Sequence, residues 1–273
     1  MGQKHSKNDC SHEPTKNCRQ MKIGIIGAGQ IGSTLIRQFS KVGHEVKMTN
    51  ATDLAKMKTL EDETGAKAVS PTEVVKDVDV LVISIPTIEI PKLAKPLRQC
   101  ISGNTIVIDT TNYYPIRDGK IEELENGMTE SVWVSTKLGV PVVKAYNTIL
   151  AGSLIHSGST ENAATRIALP VSGDDQHAKD IVATLINDSG FDALDIGSLQ
   201  DSWRQQPGSP VYCTDLNLTE LKNNITHAKK ELLAERREQA VQFIIENNPA
   251  KWLEWWTDCV SNNRKVYETE LGY

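Results

Sequence analysis

The chain has 273 residues with 39% hydrophobic content, and 30 basic against 35 acidic side chains leave a formal charge of -5 at pH 7. A chain of this length can bury a sizeable core, as one large domain or two small ones. The acidic balance and the lack of a basic stripe argue against a nucleic-acid partner. Because no apolar run approaches the roughly 20 residues that a bilayer crossing requires, the sequence also predicts no transmembrane segment.

The first 20 residues, MGQKHSKNDCSHEPTKNCRQ, are polar and nearly devoid of aliphatic side chains. This composition predicts a disordered leader, because the segment has too little apolar surface to fold. Its opening letters match the myristoylation pattern, with Gly2 and Ser6 in place. N-terminal acylation therefore stays open as an alternative to a purely cytoplasmic protein.

The cysteines are odd in number, lack metal-ligand spacing and follow no signal peptide. They are Cys10, Cys18, Cys100, Cys213 and Cys259. This usage predicts free thiols in a reducing cytoplasm and no metal site.

From Lys22 onward, short β-rich runs alternate with longer helical stretches. The β-rich runs read KIGIIG, EVKMT, VDVLVISIP, NTIVIDTT, PVVKAYN, RIALPVSG and FDALDIG. The helical stretches between them include GQIGSTLIRQFSKVG, DLAKMKTLEDETG and TIEIPKLAKPLRQCISG. This alternation predicts an α/β fold built on a Rossmann-type, doubly wound parallel sheet. We expect a dinucleotide-binding domain over 21–147, a small α/β substrate-side segment over 148–215 and a helical tail over 216–273.

The tail keeps apolar residues at helical spacing from Leu221 to Ile245, ahead of a break at Pro249. A further helix is expected to carry Trp252, Trp255 and Trp256. We interpret the tail as a packing or subunit-contact helix pair, which makes a homodimer through these helices an expectation. An aromatic box that binds a ligand is the alternative.

A glycine-rich loop, GIIGAGQIG, directly follows the first β-rich run and directly precedes an amphipathic helix. Gly27 permits a tight turn, Gly29 lets the backbone approach a pyrophosphate, and Gly32 lets helix and strand pack closely. The amides at the helix start then face the phosphates with the helix dipole behind them. The predicted cofactor-binding residues of this loop are Gly27, Ala28, Gly29, Gln30, Ile31 and Gly32. A purely structural glycine turn is the alternative.

The tip of the second strand is neutral where dinucleotide-binding chains usually carry an acid. An acid there binds the ribose hydroxyls of NAD and repels the 2′-phosphate of NADP. This chain has Asn50, Ala51 and Thr52, with Lys56 as the nearby cation. The tip therefore permits NADP, which we favour, and leaves NAD open. Alternatively, Asn50 and Asp53 only make a turn and cap the next helix.

Several longer motifs resemble one family of redox enzymes from Met21 to about Asp215. They read GIIGAGQIG, SIP (84–86), DTTNYYP (109–115), VVKAYNTILAGSL (142–154), LPVSGDD (169–175) and GSLQDSWRQQPGSPVY (197–212). The chain resembles the deazaflavin (coenzyme F420)-dependent NADP oxidoreductases and their bacterial relatives. It is also similar to the cytoplasmic reductase domain of the six-transmembrane ferrireductases. It departs at Ala51 and Thr52, where relatives commonly carry Ser-Arg for the 2′-phosphate, which leaves the preference for NADP open.

The resemblance implies that NADP lies over the strand ends, with Ile85 and Pro86 against the cofactor and Asn112 and Asn147 close to the nicotinamide. It also implies that a second substrate enters between the sheet and the segment after Asn147. The Asn147 amide is the candidate for orienting the nicotinamide. A buried amide that only ties strand ends to loops is the alternative for both asparagines.

We predict an NADP(H)-dependent oxidoreductase that passes hydride to or from a small-molecule acceptor, a flavin or deazaflavin. Such rings exchange hydride directly, so no acid or base is required, and none stands out in the sequence. An NADPH-dependent reductase of a small carbonyl or imine would need Tyr113, Tyr146 or Lys144 to deliver a proton. A non-catalytic dinucleotide-sensing module is the third alternative.

Overall fold

The computed structural model describes residues 20–50, 54–161, 163–247 and 254–271. Residues 1–19 of the leader, Ala51, Thr52, Asp53, Pro249 and Trp252 lie outside this part of the chain, as do Cys10 and Cys18. Predictions made for these positions therefore stay predictions.

A six-stranded parallel sheet forms the centre of the fold. Its strands are β1 (Lys22–Ile26), β2 (Glu45–Thr49), β3 (Lys67–Ala68), β4 (Val80–Ile83), β5 (Ile106–Asp109) and β6 (Val143–Lys144). They lie in the order β3-β2-β1-β4-β5-β6, and every pairing is parallel. The order reverses between β1 and β4, and in such sheets the ligand crevice lies at the carboxyl ends of the strands at that point. The predicted doubly wound α/β fold is confirmed.

Helices connect these strands and cover the sheet. Before β6 they are α1 (Gln30–Lys41), α2 (Leu54–Thr64), α3 (Ile90–Cys100), α4 (Pro115–Asp118), α5 (Glu122–Glu125) and α6 (Glu130–Leu138). In α1 the side chains of Leu35, Ile36 and Phe39 fall on one face and are completely buried. The helix ends where Gly43 adopts a φ of +94°, which an L side chain rarely accepts. β4 reads VLVI and is buried throughout, as expected of a parallel strand covered on both sides.

Two of the predicted strands form a separate small sheet. After α7 (Ala151–His156) come β7 (Ala168–Val171), α8 (Gln176–Asp188) and β8 (Asp192–Asp195). β7 and β8 pair with each other in parallel. Their bridge to β6 is an isolated antiparallel one, between Lys144 and Ser172. The alternating pattern identifies a strand but not its partner, and the antiparallel approach of Ser172 prevents β7 from continuing the parallel sheet.

The tail is helical but interrupted. It forms α9 (Leu218–Asn224), α10 (Leu233–Glu246) and α11 (Trp256–Val266). Between α9 and α10 the backbone of Ala228 and Lys229 is extended. The preceding Asn-Asn-Ile-Thr run is poor in strong helix formers, which explains why the apolar spacing does not give one continuous helix.

Candidate functional site

The three loop glycines have two different structural roles. Gly27 has a φ of +100°, and a Cβ on it would lie 2.1 Å from the Ser84 carbonyl oxygen. A Cβ on Gly32 would lie 1.9 Å from the Gly27 carbonyl oxygen. These two positions therefore require glycine for packing. A Cβ on Gly29 would meet no atom within 4 Å, so the space beside Gly29 is open to a ligand.

Helix α1 begins immediately beyond that open space. Its N-cap is Gly29, which has no side chain to satisfy the first-turn amides, and the first turn contains no acidic residue. Amides at a helix start lack intrahelical partners and carry the positive end of the helix dipole. The loop and helix therefore present a cradle that fits a pyrophosphate.

The tip of β2 lies next to the glycine loop. The Gly27 amide donates to the Thr49 carbonyl oxygen at 2.9 Å. Asn50 follows directly and is half-buried, and its backbone amide donates to the Met57 sulfur at 3.0 Å. Lys56 lies in the first turn of α2 and is also half-buried. The contact between loop and strand holds Asn50 beside the glycine loop.

A cleft of about 660 Å³ opens at the carboxyl ends of β1, β4 and β5. The predicted site residues that line it are Gly29, Gln30, Ile31, Ile85, Pro86, Asn112 and Asn147. The predicted residues that do not line it are Gly27, Ala28, Gly32, Asn50 and Lys56. A depression of about 910 Å³ lies at the amino ends of β5 and β6, and no predicted site residue lines it. The smaller cleft is therefore the candidate site.

Asn112 and Asn147 form a hydrogen-bonded unit in the cleft wall. The Asn147 side-chain amide donates to Asn112 Oδ1 at 3.0 Å and to the Gln205 carbonyl oxygen at 2.7 Å. Its oxygen accepts from Gln205 Nε2 at 2.7 Å. The Asn112 amide donates to the Asn147 carbonyl oxygen at 3.1 Å. Because its partners occupy both amide protons, Asn147 is held in one orientation.

Gln205 is the centre of this network, and sequence reasoning missed its role. Its side chain is completely buried, and its Oε1 accepts from Ser172 Oγ at 2.7 Å. The residue falls within the GSLQDSWRQQPGSPVY motif. That motif signalled the family but did not show that Gln205 reaches Asn147.

A buried ion pair fixes the segment after β5. Lys144 and Asp109 are completely buried, with Lys144 Nζ 3.2 Å from Asp109 Oδ2, and Nζ also donates to the Thr111 carbonyl oxygen. The carboxylate also accepts from Ser131 Oγ at 2.7 Å and from the Thr111 amide at 2.8 Å. Lys144 is thus bound within the protein and does not line the cleft.

Glu130 is a second buried acid close to this segment. Burial raises the pKa of its carboxyl group to about 7. The carboxylate accepts from the Tyr113 amide at 3.1 Å and from Gln206 Nε2 at 3.2 Å. Glu130 therefore supports the backbone next to Asn112 from behind the cleft.

Neither predicted tyrosine directs its hydroxyl into the cleft. The Tyr113 hydroxyl donates to Glu125 Oε1 at 2.9 Å, away from the site. Tyr146 lines the cleft, but its hydroxyl lies 3.1 Å from Ser189 Oγ in the buried interior. Burial raises the pKa of the Tyr146 hydroxyl, so it stays protonated at neutral pH.

A different tyrosine pair lines the cleft. The Tyr114 and Tyr212 hydroxyls are 2.7 Å apart, and both residues are cleft residues. Burial raises the pKa of the Tyr114 hydroxyl, which therefore stays neutral at neutral pH. The Arg117 guanidinium lies 5.5 Å from the centre of the Tyr114 ring and pairs with Asp118 at 2.8 Å. Sequence reasoning named the neighbouring tyrosine, because two consecutive tyrosines give no sign of which one faces a cleft.

The two tail tryptophans that the structure describes, Trp255 and Trp256, pack within the chain. Trp256 stacks on His156 with the ring centres 5.0 Å apart, and a Cβ on Gly152 would lie 2.4 Å from the Trp256 ring. Trp255 meets Phe243 edge to face at 5.8 Å. Neither tryptophan is a cleft residue. These contacts favour packing over the aromatic box, whereas the predicted homodimer stays a prediction.

Within the part of the chain that the structure describes, no helix is long and apolar enough to span a membrane. Over the same residues, no group of three or more histidine, cysteine, aspartate or glutamate side chains is placed to hold a metal ion. Cys100, Cys213 and Cys259 are free thiols.

Comparison with known proteins identifies relatives of this chain. The family model for coenzyme F420-dependent NADP oxidoreductases matches residues 22–113, which contain the glycine loop, Pro86 and Asn112. The Escherichia coli K12 protein YjhV is 40% identical over 111 residues, which is 41% of this chain and 79% of YjhV.

Two solved structures share the fold. The structure of SMa0349 from Sinorhizobium meliloti matches with a TM-score of 0.62 and 29% identity, over 72% of this chain and 95% of that one. A protein from Arthrobacter sp. FB24, named as a candidate F420-dependent NADP reductase, matches with a TM-score of 0.54 and 22% identity. That match covers 67% of this chain and 87% of the Arthrobacter chain.

Proposed function

The chain belongs to the family of coenzyme F420-dependent NADP oxidoreductases, and from this premise we propose that it transfers hydride between NADP(H) and a flavin or deazaflavin. An NAD(P)-dependent oxidoreductase follows from the family membership alone. The identity of the acceptor and the roles of individual residues are the proposal. The family membership also favours an enzyme over the dinucleotide-sensing alternative.

One observation carries the proposal: the open space beside Gly29 continues into a single cleft that passes Pro86 and reaches Asn112. Among the described residues that line this cleft, Arg117 is the only one with a formal charge. No carboxylate or histidine is present there to act as a general acid or base. Direct transfer between two rings needs none, because positioning supplies the catalysis.

The cofactor would be bound in three places. The loop and the start of α1, residues 27–32, would hold the pyrophosphate. Asn50, with Ala51, Thr52 and Lys56, would face the adenosine ribose and its 2′-phosphate. Because Asn50 is neutral, it would not repel that phosphate, which favours NADP while NAD remains the alternative.

The nicotinamide end would lie against Ile85 and Pro86. The unit of Asn112, Asn147 and Gln205 would keep the cleft wall in one shape, so that the reacting rings meet at a constant distance. When bound, the nicotinamide supplies the hydride. Ile149 and Leu150 also line the cleft and would exclude water from the reacting rings.

One observation favours a second candidate function, the reduction of a small carbonyl or imine. This reaction needs a proton donor, and the neutral Tyr114 hydroxyl is at the cleft, hydrogen-bonded to Tyr212. Under this alternative, Tyr114 takes the role that sequence reasoning gave to Tyr113, Tyr146 or Lys144. Its signature would be turnover of a small ketone or imine that is lost in Tyr114→Phe.

An acceptor screen separates these functions. The full chain would be supplied with NADPH or NADH and with riboflavin, FMN, 5-deazariboflavin, small ketones and cyclic imines, while cofactor oxidation is followed at 340 nm. The proposal predicts turnover with the flavin and deazaflavin acceptors, and none with Gly29→Val. Turnover with ketones or imines alone would transfer the assignment to the second candidate.

A further inference from the structure

The carboxyl-terminal half of α10 supplies an apolar wall to the cleft. Val241, Ile244 and Ile245 recur at helical spacing and are cleft residues. Ile245 is 45% exposed, and Ile116, another cleft residue, is 67% exposed. Large aliphatic side chains left open beside a ligand cleft are typical of a binding surface rather than a core.

This wall is fixed to the cleft through α11. Asn263 Nδ2 donates to the Cys213 carbonyl oxygen at 3.2 Å, and Arg264 donates to the carbonyl oxygens of Thr214 at 2.7 Å and Asp215 at 2.9 Å. Cys213 is itself a cleft residue. Arg236 of α10 also pairs with Glu268, just beyond α11. The tail therefore holds its apolar face at the cleft instead of only covering the protein surface.

The charge of the cleft limits what the wall can bind. Arg117 is the only charged residue among the described cleft residues, and Asp118 already neutralises it at 2.8 Å. Within the part of the chain that the structure describes, the cleft therefore offers no unpaired cation to an acceptor's phosphate or carboxylate. Apolar contact with the acceptor's ring system is therefore the main source of binding energy that the wall of α10 offers.

We propose that Val241, Ile244 and Ile245 of α10 form the acceptor-binding wall, and that this wall selects a flat, uncharged ring system without recognising the substituent attached to it. The inference rests on the proposed function and specifies its substrate class. A flavin or deazaflavin ring packs against the wall, and its side chain extends toward solvent. Riboflavin and FMN, which differ by one phosphate, are therefore equivalent substrates.

The test compares Ile245→Glu and Ile244→Ala with the wild type, using NADPH and either riboflavin or FMN. A charge or a missing apolar contact at the wall should raise KM for both acceptors by roughly tenfold, the low end of what a lost apolar contact costs in a pocket. The Kd for NADPH, measured without acceptor, should stay unchanged. Ile245→Leu keeps the apolar contact, so its KM should equal that of the wild type.

Val42→Glu is the matched control, because Val42 is 42% exposed just beyond the far end of α1 and is not a cleft residue. It should leave KM unchanged. The inference is overturned if Ile245→Glu and Ile244→Ala retain the wild-type KM, or if the wild type prefers FMN to riboflavin by more than tenfold. A wild type that reduces no flavin or deazaflavin instead refutes the proposed function, and the wall assignment with it.

Discussion

Replacing Gly29 with valine should abolish cofactor binding without unfolding the protein. The φ of −61° and ψ of −163° at Gly29 are extended backbone that a valine adopts, and no atom lies within 4 Å of the added Cβ. The free energy of unfolding should therefore change by less than about 1 kcal/mol, since the loss of glycine freedom in the unfolded chain is itself worth only about 0.4–1 kcal/mol. The side chain would, however, fill the space through which the backbone reaches a pyrophosphate.

The matched control is Gly32→Ala, which adds a smaller group at the third loop glycine. Its Cβ would lie 1.9 Å from the Gly27 carbonyl oxygen, so the backbone has to move. We expect this variant to lose at least about 2 kcal/mol of stability, as overpacking a tight contact does.

Urea denaturation and NADPH titration measure the two effects separately. Gly29→Val should unfold at nearly the wild-type urea concentration and bind NADPH too weakly to measure, a loss well beyond the roughly 1.4 kcal/mol of a tenfold change in Kd. A folded Gly29→Val protein with unchanged NADPH affinity would refute the assignment of the loop.

Four further predictions concern the rest of the site. Because burial raises the pKa of Glu130 from 4.5 to about 7, the folded protein resists ionisation of this acid and loses stability as the pH rises through that interval. In urea denaturation, the free energy of unfolding of Glu130→Gln should rise relative to that of the wild type between pH 4.5 and 8, by at most about 3 kcal/mol. A difference between the two proteins that does not change with pH would contradict this. Asn147→Ala should bind NADPH normally but turn over roughly tenfold more slowly, because the cleft wall loses its fixed shape. An unchanged kcat would show that Asn147 does not affect the positions of the reacting rings. Thr52→Arg should strengthen NADPH binding by about tenfold with little effect on NADH, through a charge-assisted contact to the 2′-phosphate. Asn50→Asp should weaken NADPH relative to NADH, and equal affinity ratios in wild type and variant would show that the β2 tip does not face the ribose.

The sheet could be predicted from the sequence because each strand carries its own signal. Buried runs such as VLVI mark parallel strands, and the glycine loop marks the first crossover. β3 was missed because Lys67–Ala68 is two residues long and has no periodicity to detect. β7 and β8 fall within the α/β segment expected over 148–215, but their pairing with each other could not be predicted because a strand pattern does not specify a neighbour.

The site was harder to predict because its side chains meet through the fold. Asn112 and Asn147 are 35 residues apart, and Gln205, which orients Asn147, is 58 residues from it. No local pattern connects such distant residues. The apolar spacing at Val241 and Ile244 correctly indicated a helix, but the same spacing fits a core face, a subunit contact or a cleft wall. Only the packing of α10 beside the cleft separates these cases.

Direct hydride transfer between NADPH and a deazaflavin is the central step of the proposed reaction. The measurement supplies the full chain with NADPH that carries deuterium at both C4 positions, together with 5-deazariboflavin, whose reduced ring retains a hydride on carbon. Direct transfer should place one deuterium on C5 of the reduced deazaflavin and make turnover slower than with unlabelled NADPH. Reduced deazaflavin without deuterium, or no oxidation of NADPH at saturating concentrations of both substrates, would contradict it.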